Sequence, residues 1–254
     1  YSTIYLSKSI INLSKAIDVL SWYKIYNNSI HNNLYDFKSN NRRLEELEYM
    51  KSFLQKILDD RNQKYKIPLK DGRMSTLSSK LPNAWRPYRA DYTDWIHEWW
   101  DFDWDFWETV YSIDNWIVVR VVDTFYFSDF DNIVRWDNLT NLERRKNLDI
   151  LRWKQVWIKT MKWDLAFYSH LDSVFWDISE WDVVMKWQPL WTIGITGVPD
   201  KNYSDYHLHL ELRKNPYIND NAWKYSFIDY MWWDWYFKWE KESYILENQD
   251  NIFN

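Results

Sequence analysis

The chain has 254 residues, enough for one sizeable domain and an accessory segment, and a formal charge of -5. That balance argues against a nucleic-acid partner, which demands a basic face, and no charge run is long enough to act as a polyelectrolyte tail. The absence of cysteine excludes a disulfide framework and a thiolate metal site, and no apolar stretch approaches the length of a membrane span.

Residues 1 to about 64 contain no proline and no glycine, and Trp22 is their one tryptophan. Leu6, Ile10, Leu13, Ile17 and Leu20 follow a 4-3-4-3 spacing, the seam of a heptad helix. Leu47, Met50, Leu54 and Ile57 resume the rhythm after an Asn-rich stretch around Tyr26 to Asn41. Residues 1–66 therefore read as a helical hairpin or coiled-coil arm whose short helices need a partner to bury against. The arm serves either as a plain spacer or as a docking element for an envelope or regulatory partner. His31 lies in its polar stretch and reads as solvated. The chain opens on Tyr1, which leaves room for an upstream leader or anchor.

Pro68, Gly72 and the MSTLSSKLP segment break the pattern, so residues 67–84 read as a linker. From residue 85 to 217 the text changes to short runs rich in Val, Ile, Tyr and Phe: TVYSI, IVVRVVD, QVWIKTMK, DLAFYS, DVVMK and HLHLELR. This is the signature of a mainly β domain with antiparallel hairpin connections, a sandwich or open barrel with its site in a groove across one sheet. The stretch from Tyr126 to Arg152 is long for a strand connection, and its LTNLERRKNLDIL portion reads as a helical insertion. Residues 218–254 form an extension with no assignable role.

The β region also carries an anomaly. The chain has 21 tryptophans and 3 glycines, where an average chain of this length has roughly 18 glycines. Nineteen of the tryptophans fall between Trp95 and Trp239. Many sit where turn chemistry calls for glycine. Trp116 follows Asp114-Asn115 between TVYSI and IVVRVVD, where a two-residue hairpin wants Asn-Gly and a positive φ. Trp163, Trp187, Trp95 and Trp104 repeat the pattern. Many of these tryptophans are therefore expected to stand for a codon that the source cell reads as glycine. The competing reading is a tryptophan-rich carbohydrate-binding surface that stacks on sugars.

Four of the five histidines lie in the β region. His97 and Asp101 form H-x-x-x-D, His170 ends the run AFYSH, and His207 and His209 form H-x-H in a strand. Residues i and i+2 of a strand share a face, so both imidazoles of H-x-H point the same way. Imidazole and carboxylate suit Zn²⁺, and three such ligands plus water make an open catalytic site. Neither G-x-S-x-G nor a phosphate-binding glycine loop competes with this reading.

With glycine restored, DWIHEWWDFD becomes DGIHEGGDFD and VVMKWQPLWTIGITG becomes VVMKGQPLGTIGITG. The series H-x-x-x-D, Y-x-H-L (Tyr168 to Leu171), the glycine-spaced V-x-x-G-Q segment and H-L-H-x-E resembles the lysostaphin/LytM-type zinc metallopeptidases over about residues 85–217. The resemblance implies a zinc endopeptidase acting on peptide bonds of bacterial peptidoglycan, outside the cytoplasm. It implies His97, Asp101 and His209 as zinc ligands, and His170 and His207 as the catalytic pair. His207 is the better base, and Glu211, one step further along the strand face, supports the ligands or forms a cross-strand ion pair. The alternative is a catalytically inactive relative that regulates cell-wall hydrolases through its helical arm. The loop VPDKNYSDY after Gly197 is longer than the family's short connection, and Trp95, Trp99 and Trp100 stand where the family has glycine.

Overall fold

A computed structural model describes residues 8–17, 34–86, 95–135, 138–174, 178–194, 206–216 and 226–254. The chain divides into two compact units between Gln63 and Lys64. Leu6, Leu20, Trp22, His31 and most of the loop after Gly197 lie outside the described residues.

The first unit holds α1 (residues 8–17) and α2 (Leu34–Asn62). α2 begins inside the Asn-rich stretch that reads as a break and runs for 29 residues, so it is long where the sequence suggests short helices. Intrahelical i,i+4 pairs, Arg42 with Glu46 at 3.1 Å and Gln55 with Asp59 at 2.8 Å, support it where apolar burial is thin. Tyr49, Met50 and Phe53 are exposed on it. No helix among the described residues is long and apolar enough to cross a membrane.

The second unit is mainly antiparallel β. A small sheet pairs β1 (Trp85–Arg86) with β2 (Trp95–Ile96). The large sheet has eight strands: β3 (Trp100–Asp103), β4 (Thr109–Tyr111), β5 (Trp116–Val122), β6 (Lys154–Thr160), β7 (Leu165–Val174), β8 (Val183–Val184), β9 (Pro189–Ile193) and β10 (His207–Arg213). Their order is β3-β10-β7-β6-β5-β8, with β9 pairing both β7 and β4. The runs TVYSI and IVVRVVD, which read as two arms of a hairpin, do not pair: β4 goes to β9, and β5 goes to β6 and β8. The turn between them keeps its left-handed residue, Trp116 at φ 145°, as do Trp163 and Trp187, whereas Trp95 and Trp104 have no such backbone.

Period-2 alternation sorts the side chains. On β3 and β10, Trp100, Phe102, Leu208, Leu210 and Leu212 enter one buried core with Tyr168, Val156, Ile158 and Leu190. A second apolar cluster, Trp157, Leu165 and Phe167 with Tyr230, Met231 and Trp233, lies with the intervening residues on the opposite face. The segment 67–84, read as a linker, supplies Leu69 and Leu81 to the first core. The extension beyond 218 is structural as well. It carries α4 (Phe227–Met231) and α5 (Glu242–Asn248), and Phe253 pairs in parallel with Tyr65, whose N–H donates to Ile252 O at 2.8 Å. The insertion holds α3 (Asn141–Leu151), started by a capping box in which Thr140 Oγ1 accepts from Glu143 N and Glu143 accepts from Thr140 N.

Candidate metal centre

Three adjacent strands build the site. On β10, His207 and His209 share the face opposite the leucines. Cross-strand register places Asp101 of β3 directly opposite His209. His209 Nε2 is 2.9 Å from Asp101 Oδ1, and His97 Nε2 is 3.1 Å from Asp101 Oδ2. His97 Nδ1 lies 2.8 Å from Leu81 O and donates to that carbonyl. This contact fixes the tautomer and leaves the Nε2 lone pair facing the carboxylate, the arrangement that metal-binding imidazoles favour.

His170 arrives by a different route. Ser169 is the direct partner of His209, so a regular strand would turn His170 to the opposite face. Instead the β6–β7 ladder slips a register between Gln155↔Ser169 and Lys154↔Leu171, and His170 sits in the bulge with φ 62°. A bulge with a left-handed residue re-aims its side chain. The His170 ring consequently lies 3.8 Å, centroid to centroid, from His209 and 5.2 Å from His207. Its backbone is held on both sides, donating to Arg152 O at 3.0 Å and accepting from Gly194 N at 2.9 Å. Gly194 is required there, because a Cβ would meet the Leu171 backbone at 2.7 Å.

Two triads of ligand atoms result, each spanning no more than 4.8 Å: His97 with Asp101 and His209, and His170 with His207 and His209. His209 belongs to both. His207 Nε2 lies 2.6 Å from His209 Nε2 and 3.9 Å from Asp101 Oδ1. Burial works against ionising Asp101, but the surrounding imidazoles outweigh it and hold its carboxyl well below the usual range. Burial, reinforced by neighbouring histidines, pushes His170 well down; burial also holds His209 well down against the pull of Asp101. The site thus offers a carboxylate at Asp101 and imidazoles at His170 and His209 that burial keeps neutral, the protonation states a divalent metal requires. All the residues singled out in the sequence converge except Glu211, which sits one layer behind.

Glu211 takes the ion-pair role, one of the two that its place on the strand suggests, within a buried ionic chain whose other members the sequence does not mark. Arg152 contacts Glu211 at 2.5 Å, Arg213 bridges Glu211 and Glu98, and Arg145 reaches Glu98 at 3.3 Å. Arg213 also donates to Met231 O and Trp233 O, tying in the segment after 226. Burial opposes the Glu211 charge, yet Arg152 and Arg213 hold its carboxyl below the usual range. Glu98 follows His97 in sequence, Glu211 follows His209 by two, and Arg152 supplies the carbonyl that holds His170. The one signal in the sequence was HLHLELR, whose polar positions continue the face of the two histidines as far as Arg213.

No known family profile and no curated protein matches the chain. Solved structures to which it is similar include lysostaphin-type peptidases and the SpoIIQ–SpoIIIAH pore-forming complex, the latter at 14% identity over 60% of this chain and 85% of its own, with a TM-score of 0.40. A zinc-containing peptidase from Vibrio cholerae shares 19% identity over 59% of this chain, at a TM-score of 0.40. The catalytic domain of lysostaphin from Staphylococcus simulans shares 17% over 51% of this chain and 75% of its own length, at 0.34. The catalytic domain of the prophage-encoded M23 protein EnpA from Enterococcus faecalis shares 15% over 62% of this chain and 91% of its own, at 0.38. The chain spans 37% of the length of the Vibrio peptidase.

Proposed function

We propose that the chain is a zinc-dependent endopeptidase that hydrolyses peptide bonds of bacterial peptidoglycan outside the cytoplasm. The observation that carries this reading is the convergence of His97, Asp101 and His209 within 4.8 Å, with His170 and His207 beside them. The order of the H-x-x-x-D, Y-x-H-L and H-L-H-x-E motifs supports the substrate class. Two imidazoles and one carboxylate fit Zn²⁺ and leave a fourth position for water. Zinc held by His97, Asp101 and His209 would lower the pKa of a bound water toward about 7 and polarise the scissile carbonyl. His207 accepts the proton of the attacking water and returns it to the leaving amine. His170, locked by its bulge, orients that water or donates to the developing oxyanion. In this reading the arm docks an envelope partner, for which α2 offers the exposed Tyr49, Met50 and Phe53.

One observation favours the inactive, regulatory alternative. The indole of Trp99, itself buried, lies 4.5 Å from the His209 ring and 4.6 Å from the His97 ring. An aromatic plate against both ligands narrows the approach for a peptide. Zymography on purified peptidoglycan, with zinc and with chelator, decides between the two. Clearing that chelator abolishes and zinc restores supports the enzyme; a zinc-loaded protein that clears nothing refutes it.

A further inference from the structure

We propose that the source cell decodes Trp107, Trp116, Trp153, Trp163, Trp181 and Trp187 as glycine, whereas Trp157 and Trp235 are genuine tryptophans. Among the described residues, ten other than glycine have φ in the left-handed region, and six of them are these tryptophans. Asp71 and Asn83, two of the remainder, are types that tolerate this backbone; a bulky aromatic resists it.

The six occupy places that demand glycine for separate reasons. Trp107, Trp181 and Trp187 are each the third residue of a four-residue turn, closed by Glu108 N to Asp105 O, Asp182 N to Ser179 O and Gln188 N to Met185 O. Their φ values of 68°, 79° and 67° are those of turns that take glycine at this position. Trp163, at φ 71°, follows a turn closed by its own N–H to Thr160 O in the β6–β7 hairpin, the site of a glycine bulge. Trp153, at φ 63°, comes directly after Arg152, the last capping residue of α3, where helices end on a left-handed glycine. Trp116, at φ 145°, follows Asn115 into β5.

The backbone carries this assignment, since the side chains do make contacts: Trp107 donates its indole N–H to Asp172 Oδ2 at 2.9 Å and Trp153 stacks on Phe125 at 4.2 Å. Trp107, Trp181 and Trp187 are 64%, 54% and 39% exposed. Trp157 is the opposite case. It lies in a regular strand, is fully buried, stacks on Phe167 at 4.2 Å and donates its indole N–H to Gln155 Oε1 at 2.7 Å. Trp235 likewise donates to Asn83 Oδ1 at 2.9 Å and has no left-handed backbone. The backbone therefore sets these six tryptophans apart from Trp157 and Trp235, and the distinction needs no assumption about the metal.

The test is peptide sequencing by tandem mass spectrometry of the protein purified from its own source. We expect glycine at all six positions and tryptophan at 157; tryptophan at the six overturns the proposal. The gene gives a second readout, since the six should share one codon and Trp157 should carry another; a common codon throughout overturns it. A recombinant pair supplies the physical check. The chain carrying all six Trp→Gly replacements should melt higher than the chain as written, by on the order of 10 °C, and an equal or lower Tm counts against the assignment.

Discussion

His209 is the one side chain shared by both ligand triads, so its replacement separates metal binding from the rest of the chemistry. His209→Ala should lose stoichiometric zinc by atomic absorption and all clearing activity. His207→Ala should keep the zinc and lose about 100-fold or more in rate, the usual scale of a lost general base. If both variants bind zinc fully, the ligand assignment is wrong. Lys159 carries a second prediction at this scale. It is fully buried with no hydrogen-bond acceptor among the described residues, and burial lowers its amine to about 8 against the pull of Asp164. The folded pKa lies below the unfolded value near 10.4, so the unfolded chain binds more protons between about pH 8 and 10.4, and stability rises with pH across that window. Lys159→Met should abolish the rise and stabilise the protein at neutral pH by roughly 2 kcal/mol, measured by urea unfolding. The histidines that converge were legible in the sequence because H-x-H on a strand and scarce histidine are local signals. Lys159 was not, since nothing near QVWIKTMK marks its amine as buried.

On β10, alternation places four polar residues, His207, His209, Glu211 and Arg213, on one face and leucines on the other. The outer two belong to the ionic chain, one step along the same face from the two histidines. Removing one partner of a buried pair leaves the other charge uncompensated, which costs about 3–5 kcal/mol. Arg213→Met should therefore destabilise the unit by that order in chemical denaturation. It should also weaken zinc binding measured by titration calorimetry, although Arg213 touches no proposed ligand. Unchanged stability and zinc affinity would show that the chain of charges is incidental. The alternation itself was readable from HLHLELR. The bulge that turns His170 toward His209 was not, because it arises from a register slip against β6, a tertiary event. The capping box of α3 was readable at Thr140 and Glu143, a local exchange of hydrogen bonds that needs no partner element.

For the molecule as a whole, the sequence shows that there are strands but not who pairs with whom. β4 and β5 are neighbours in the chain and strangers in the sheet, since β4 joins β9 across most of the domain. Residues 67–84 look like a linker because proline, glycine and serine crowd there, yet Leu69 and Leu81 are drawn inward by a core that forms only after distant strands assemble. The extension after 218 shows no catalytic motif and still closes the unit through Phe253. Deleting residues 249–254 should expose Tyr65 and lower Tm by several degrees, on the scale of a lost aromatic contact and its ladder bonds; an unchanged melt would place that closure outside the cooperative fold.

Asn254 N donates to Tyr65 O at 2.8 Å, so position 254 and position 64 lie side by side. Two positions this close are the condition under which a compact unit tolerates being joined there and opened elsewhere. A short tether from Asn254 to Lys64, with the chain cut at the exposed turn around Glu180, should give a circular permutant with the parental circular-dichroism spectrum. Such a rearrangement would present the imidazole cluster on a ring-closed scaffold, freed of the helical arm.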